Sequence, residues 1–365
     1  MTDSMFMGSL EEESRNIAII RDWLYRPESC KLIVKRSLII QSVRNHLIRK
    51  GFLEVDTPSI LTSPGQVSEK LEASDYPRLD QVPNVMHSSG CFEVTSRAGS
   101  RVFYLRTSPE TYLKRYLVGG FKKVFTIGSA FRNEKEDSQH LPEFKIVEWE
   151  EVKSSSEAQM KMVENLVASV AQQCVGSSKV YRNNVSVEFM PPWRRICLLD
   201  ALNNLAGLDV SRMDCVTVQG VAARHGVLNA YKLSWGLCVV SLFELLVQPR
   251  LVEPTFIFGY PREICPLALP QQTDPRLSDR FELYVFGLEL GNAYANQTVP
   301  SLVRDQCLNT ALAAGFTKSE VNCDEGLLRA LDEGIPSSYG CAIGLDRLIM
   351  ILCQAEQIGD VAPFF

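Results

Sequence analysis

Residues 131–150 read FRNEKEDSQHLPEFKIVEWE: an arginine ends an apolar run, a polar stretch closes on a histidine, and an aromatic follows among carboxylates. The side chains able to do chemistry are Arg132, Glu134 and His140, then Glu143, Phe144, Glu148 and Glu150. The pattern predicts strand, loop, strand, which sets them on adjacent antiparallel strands. Arginine grips phosphate through paired charge-assisted hydrogen bonds, and a phenylalanine ring stacks on a planar base. The set suits a polyanionic ligand with a flat ring, a description that ATP fits. Alternation along a strand puts Glu148 and Glu150 on one face.

The elements that must position these residues follow from periodicity. Apolar residues Leu32, Ile33, Leu38, Ile39, Val43, Leu47 and Ile48 predict a helix over 31–50, stopped by Gly51 and followed by a strand over 52–57. Residues 1–28 read as a polar leader with one amphipathic helix, 29–365 as the main domain, and 63–89 as loop. Strands are expected over 102–105, 123–131, 143–151, 255–258, 281–286 and 289–294, the last two joined at Gly287. Ser108-Pro109-Glu110 predicts a helix start, with serine as N-cap and proline next, ending at Gly119-Gly120. Further helices are expected over 157–174, 198–205 and 303–314. Residues 340–353 predict a glycine-flanked strand running into an apolar helix that carries Asp346 and Arg347. Residues 177–252 give the weakest pattern and are expected to be mostly helical. Helices on a mainly antiparallel sheet make the fold class α+β.

Composition excludes several classes. The 365 residues are 45% hydrophobic and 22% charged, enough for a full core. Net charge is −5, and no basic block exceeds pairs such as Lys122-Lys123, so stable tRNA binding is not expected. Eleven cysteines without a CxxC pair and four histidines give no zinc spacing; they fit reduced thiols in a cytoplasmic protein. The acidic N-terminus has no apolar signal core. The longest apolar run, 236–247, is too short to span a bilayer, so no membrane partner is expected.

Three strings now stand in a telling order: GFLEVDTP (51–58), FRNE…HLPEF (131–144) and GCAIGLDRLIMIL (340–352). They resemble motifs 1, 2 and 3 of the class II aminoacyl-tRNA synthetases. TSPETYLKRYLVGGFKKVFTIGSAFRNE, RFELYVFGLELGNAY and the ending IGDVAPFF resemble the lysyl-tRNA synthetase branch in particular. The resemblance implies the class II catalytic fold, ATP and Mg²⁺ as cofactors, and attack of an amino-acid carboxylate on the α-phosphorus to give an aminoacyl-adenylate. It implies a catalytic set of Arg132, Glu134 and Arg347. Arg132 would hold the α-phosphate, Phe144 and Arg347 would sandwich adenine, and Glu134 and His140 would contact the nucleotide. Glu282 and Glu289 would ligate Mg²⁺. Glu110 would take the α-ammonium and Asn292 the carboxylate side, while Glu148, Glu150, Asn296 and Ala342 would line the amino-acid pocket. Motif 1 implies a homodimer.

Departures from the branch shape the expectation. An anticodon-binding barrel normally precedes motif 1, but here the motif 1 helix is expected to start near Lys31, leaving no room for one. The chain then resembles the free-standing lysyl-tRNA synthetase-like enzymes that attach (R)-β-lysine to a lysine of elongation factor P, and Ala342, where lysyl-tRNA synthetases usually have glycine, fits them. Lysine or β-lysine is the expected amino acid and elongation factor P the expected acceptor. The alternatives are another amino acid passed to a tRNA in trans or to a biosynthetic acceptor, and a non-catalytic sensor. Where the branch has a carboxylate for the distal ammonium this chain has Asn296, and where it has a tyrosine this chain has Glu150. Either Glu150 replaces the lost carboxylate or Asn296 marks a different side chain.

Overall fold

A proline fits the first turn of a helix, where its missing N–H has no partner to lose, and Pro27 opens the first helix here. The computed structural model describes residues 27–62, 91–96, 102–133, 135–182, 184–313 and 324–362. Residues 1–26 of the expected leader, the run 63–89, Glu134 and the last three residues of the IGDVAPFF ending lie outside the described residues. Helix α1 (Pro27–Arg49) buries Ile39, Val43 and Leu47, each four residues from the last, and Gly51 ends it at φ 84°. Strand β1 (Leu53–Glu54) is shorter than expected. Strands β2 (Ile60–Leu61), β3 (Glu93–Thr95) and β4 (Val102–Leu105) form a small separate sheet.

Helix α2 (Glu110–Val118) differs from expectation by one position at its start. Pro109 is the N-cap, and Ser108 acts from outside it, its Oγ accepting from the Glu110 N–H at 3.0 Å. Strands β5 (Lys123–Phe131) and β6 (Glu143–Val152) pair antiparallel as expected and lead into α3 (Ser156–Val175).

The stretch 177–252 is a correction, because its first third is not helical. β7 (Lys179–Arg182) and β8 (Val185–Glu188) form a hairpin, and β9 (Arg194–Cys197) joins the main sheet. Val180 and Val187 face inward from an alternating run, and Asn184 turns the chain at φ 62°. β9 is four residues long and too brief for a periodic signal; its strand form comes from parallel pairing with β10 (Thr255–Phe258). Helices follow only afterwards: α4 (Leu198–Ala206), α5 (Cys215–Arg224) and α6 (Trp235–Leu246).

β11 (Arg280–Val285) and β12 (Leu288–Ala295) make a hairpin with Phe286 and Gly287 left-handed at φ 54° and 74°, the geometry that two-residue turns favour. α7 (Pro300–Ala313) and α8 (Glu325–Asp332) precede β13 (Ser338–Gly344) and α9 (Leu345–Leu352). The eight-stranded sheet runs β1-β5-β6-β13-β12-β11-β10-β9, antiparallel except for its two outermost pairs. One face buries Phe125, Val147, Trp149 and Ile343 beneath α1, α3 and α9. On the other face Leu113 and Leu117 of α2 pack with Val124, and α4, α5 and α6 pack with Ile257, Tyr284 and Tyr294. The fold is α+β, as expected. No helix among the described residues is long and apolar enough to cross a membrane.

Candidate active site

Alternation along β6 sends Val147 and Trp149 into the core and turns Glu148 and Glu150 to the opposite face. At the outer end of the same strand pair, Ala130 lies opposite Phe144, and the Arg132 N–H donates to the Pro142 carbonyl at 2.8 Å, closing the loop between the strands. The Arg132 guanidinium sits over the Phe144 ring, 5.2 Å from its centroid. His140 is held on both sides: Nδ1 is 2.9 Å from an Asp137 carboxylate oxygen, and Nε2 is 2.9 Å from Nη2 of Arg347. Arg347 also donates through Nη1 to the Glu289 carbonyl at 2.7 Å, tying α9 to the loop and to β12. Its neighbour Asp346 accepts from Arg36 of α1 and from the Lys145 N–H, so the two motif 3 charges serve different partners. Arg132 thus meets Phe144, and His140 meets Arg347.

Toward the middle of the sheet the site turns acidic. Glu110, the first residue of α2, pairs with Lys114 one turn later, and Tyr294 donates its hydroxyl to the same Glu110 oxygen. Glu148 accepts from Ser108 Oγ at 2.9 Å and lies opposite Ala342, which also faces Asn292 on β12. Glu150 lies opposite Gly340 and accepts from Asn296 Nδ2 at 2.6 Å. Asn296 Nδ2 also donates to Ser338 Oγ at 2.9 Å. Burial, reinforced by the Glu110 charge, pushes Glu148 up to about 8. Burial also lifts Glu150, to about 7, with the Lys114 ammonium opposing it.

A third group lies on β11 and β12. Glu282 is fully buried; one carboxylate oxygen meets Arg280, and the other accepts from Tyr260 at 2.7 Å and Tyr284 at 2.5 Å. Burial and the nearby Glu289 charge both raise its pKa, while Arg280 opposes them. A buried carboxylate raised by the charge of a neighbouring one marks a hard-oxygen pair that a divalent cation would relieve. Among the described residues no group of three or more His, Cys, Asp or Glu side chains stands ready to hold a metal. A two-carboxylate pair suits Mg²⁺, which takes its remaining ligands from water and substrate phosphates.

The structure also brings in residues that the sequence does not mark as part of the site: Lys114, Tyr260, Arg280, Tyr284, Tyr294 and Ser338, with Ser108, expected only as a cap, on Glu148. The signals were present. Lys114 stands four residues after Glu110 on a helix, and Arg280 and Tyr284 flank Glu282 at strand spacing, on its own face.

The family described as tRNA synthetases class II (D, K and N) matches residues 11–365. The chain is 34% identical over 347 residues to a lysine–tRNA ligase of Pelotomaculum thermopropionicum, covering 94% of this chain and 65% of that protein. It is 35% identical to the lysine–tRNA ligase of Oceanobacillus iheyensis, over 98% of this chain and 69% of that one. For the lysine–tRNA ligase of Bacillus subtilis the values are 33%, 98% and 68%. The chain therefore spans about two thirds of the length of these relatives. With the family matching nearly the whole chain, the protein belongs to the class II tRNA synthetases of the D, K and N group.

Proposed function

We propose that the protein is an ATP-dependent ligase that activates a basic amino acid, lysine or β-lysine, as its adenylate. One observation carries this reading: a single sheet face presents a cation–aromatic end, Arg132 over Phe144 with Arg347 beside His140, and an acidic end where buried Glu148 and Glu150 meet half-buried Glu110 from α2. A triphosphate with a flat base suits the first and a cationic amino acid the second. In this reading Arg132 holds the α-phosphate, Phe144 and Arg347 take adenine, and His140 and Glu134 contact the nucleotide. Glu110 takes the α-ammonium and Asn292 orients the carboxylate. A carboxylate oxygen attacks the α-phosphorus in line as the bond to the β-phosphate oxygen breaks, releasing pyrophosphate. The chain contributes position and charge, with no covalent bond to the enzyme. Glu282 and Glu289 would hold Mg²⁺, which when bound neutralises the departing pyrophosphate.

The acceptor in this proposal is a lysine of elongation factor P, favoured by the methyl of Ala342 opposite Glu148 and by the acidic net charge. The acidic balance equally opposes stable tRNA binding. A homodimer is supported by Val34, Leu38 and Ile48, which stay exposed along α1 while its other side is buried. Amino-acid-dependent ATP–pyrophosphate exchange tests the activation step, screened over lysine, both β-lysine enantiomers, ornithine, arginine, asparagine and aspartate. Exchange with lysine or β-lysine is expected; ATP binding without exchange for any of them would turn the reading toward a sensor.

A further inference from the structure

Asn296 is fully buried, and the orientation of its amide is fixed by its neighbours. Nδ2 lies between a Glu150 carboxylate oxygen, which accepts, and the Ser338 hydroxyl, so both amide hydrogens are engaged. Oδ1 is then turned away from both, buried and without a hydrogen-bond partner. The second carboxylate oxygen of Glu150, Oε1, is also buried without a partner. Two bare acceptors on one hydrogen-bonded pair are costly in a protein interior unless something donates to them. Gly340 leaves room for this arrangement: a Cβ there would stand 2.6 Å from Oε1.

The charges around the pair do not cancel. Glu110, Glu148 and Glu150 face one another from α2 and β6. The cations acting on them are Lys114, paired with Glu110, and Arg106, which hydrogen-bonds Thr57, Pro58 and Ser129 while its charge acts on Glu148. Tyr294 and Cys341 also face the cluster, and burial keeps both neutral by raising their pKa values. With all three acids ionised, the state a bound cation favours, two cations leave one negative charge unmatched, and the bare acceptors stand on Glu150 and Asn296.

Resting on the activation reading above, we infer that Glu150 Oε1 and Asn296 Oδ1 form a two-acceptor receptor for the distal primary ammonium of the amino acid, making Glu150 the specificity-determining residue and Asn296 the group that holds it. An ammonium brings three donors and the one missing positive charge, so it satisfies both oxygens and closes the charge count. A neutral side chain leaves both oxygens bare, which is how the pocket discriminates. Asn296 is thus no sign of an uncharged substrate: its amide nitrogen orients the carboxylate that binds the cation.

Calorimetric titration of the full chain with lysine and with norleucine, its isostere lacking the ammonium, tests this in the wild type, Glu150→Gln and Asn296→Ala. The expected result is a strong wild-type preference for lysine that falls by about 100-fold or more in Glu150→Gln, with a smaller fall in Asn296→Ala. ATP affinity, read separately at the Arg132–Phe144 end, reports whether each variant is folded. Should Glu150→Gln lose ATP binding as well, Asn296→Ala decides by the same ratio. A preference that persists in the folded variants, or is missing from the wild type, overturns the receptor. Lysine binding with that preference but without pyrophosphate exchange would uphold it and refute the activation reading instead.

Discussion

Two carboxylates two residues apart on one buried strand face cannot both ionise cheaply, and the protein offers Glu148 and Glu150 only partial compensation. Their folded values of about 8 and about 7 lie above the ordinary 4.5. The native state therefore binds protons that the unfolded chain has released, and the stability these groups confer is complete below about pH 4.5 and lost as pH rises through 7 and 8. The thermal midpoint of the ligand-free protein is predicted to fall between pH 5 and pH 8, and Glu150→Gln to lessen the fall; scanning calorimetry across that range checks both. Lysine favours the ionised carboxylates, so its affinity should rise with pH over the same window. At the nucleotide end, Phe144→Ala removes the ring beneath Arg132 and is predicted to weaken ATP binding by about 5- to 150-fold, at ~1–3 kcal/mol for a lost base stack. At this scale the sequence was informative about residue types and poor about partners. Glu150 and Asn296 were legible as oddities, but that one holds the other depends on β6, β13 and β12 lying side by side, 146 residues apart in the chain.

Elements with a strong period were legible, and those made by tertiary pairing were not. Strand β5 has the bounds expected of it, and β6 extends one residue further, because nine- and ten-residue strands separated by a polar loop are a long signal. Strands β7, β8 and β9 lie in the stretch with the weakest pattern, because four-residue segments carry almost no period and are fixed by their neighbours. The helical part of that region makes its own core, with Phe243 of α6 fully buried against the rings of Tyr260 and Tyr284, whose hydroxyls donate to Glu282. Phe243→Ala is predicted to cost about 3–5 kcal/mol in denaturant unfolding. By loosening the Glu282 tyrosines it should also raise the Mg²⁺ concentration needed for activity. Gly340→Ala places a methyl against Glu150 and is predicted to lower affinity for lysine far more than for ATP, measured by titration of each ligand.

For the whole molecule, family membership was readable from three strings in order, since each ties a backbone turn to a charged or aromatic residue. The exposed apolar face of α1 predicts self-association. Sedimentation of the wild type should give a dimer, and Val34→Glu with Leu38→Glu should give a folded monomer. The central claim is that the cation–aromatic and acidic ends of one sheet activate a basic amino acid together. Lysine- or β-lysine-dependent ATP–pyrophosphate exchange tests it most directly. Exchange that needs the amino acid and disappears in Arg132→Ala is the predicted result. Exchange driven by aspartate or asparagine in place of a basic amino acid would contradict it.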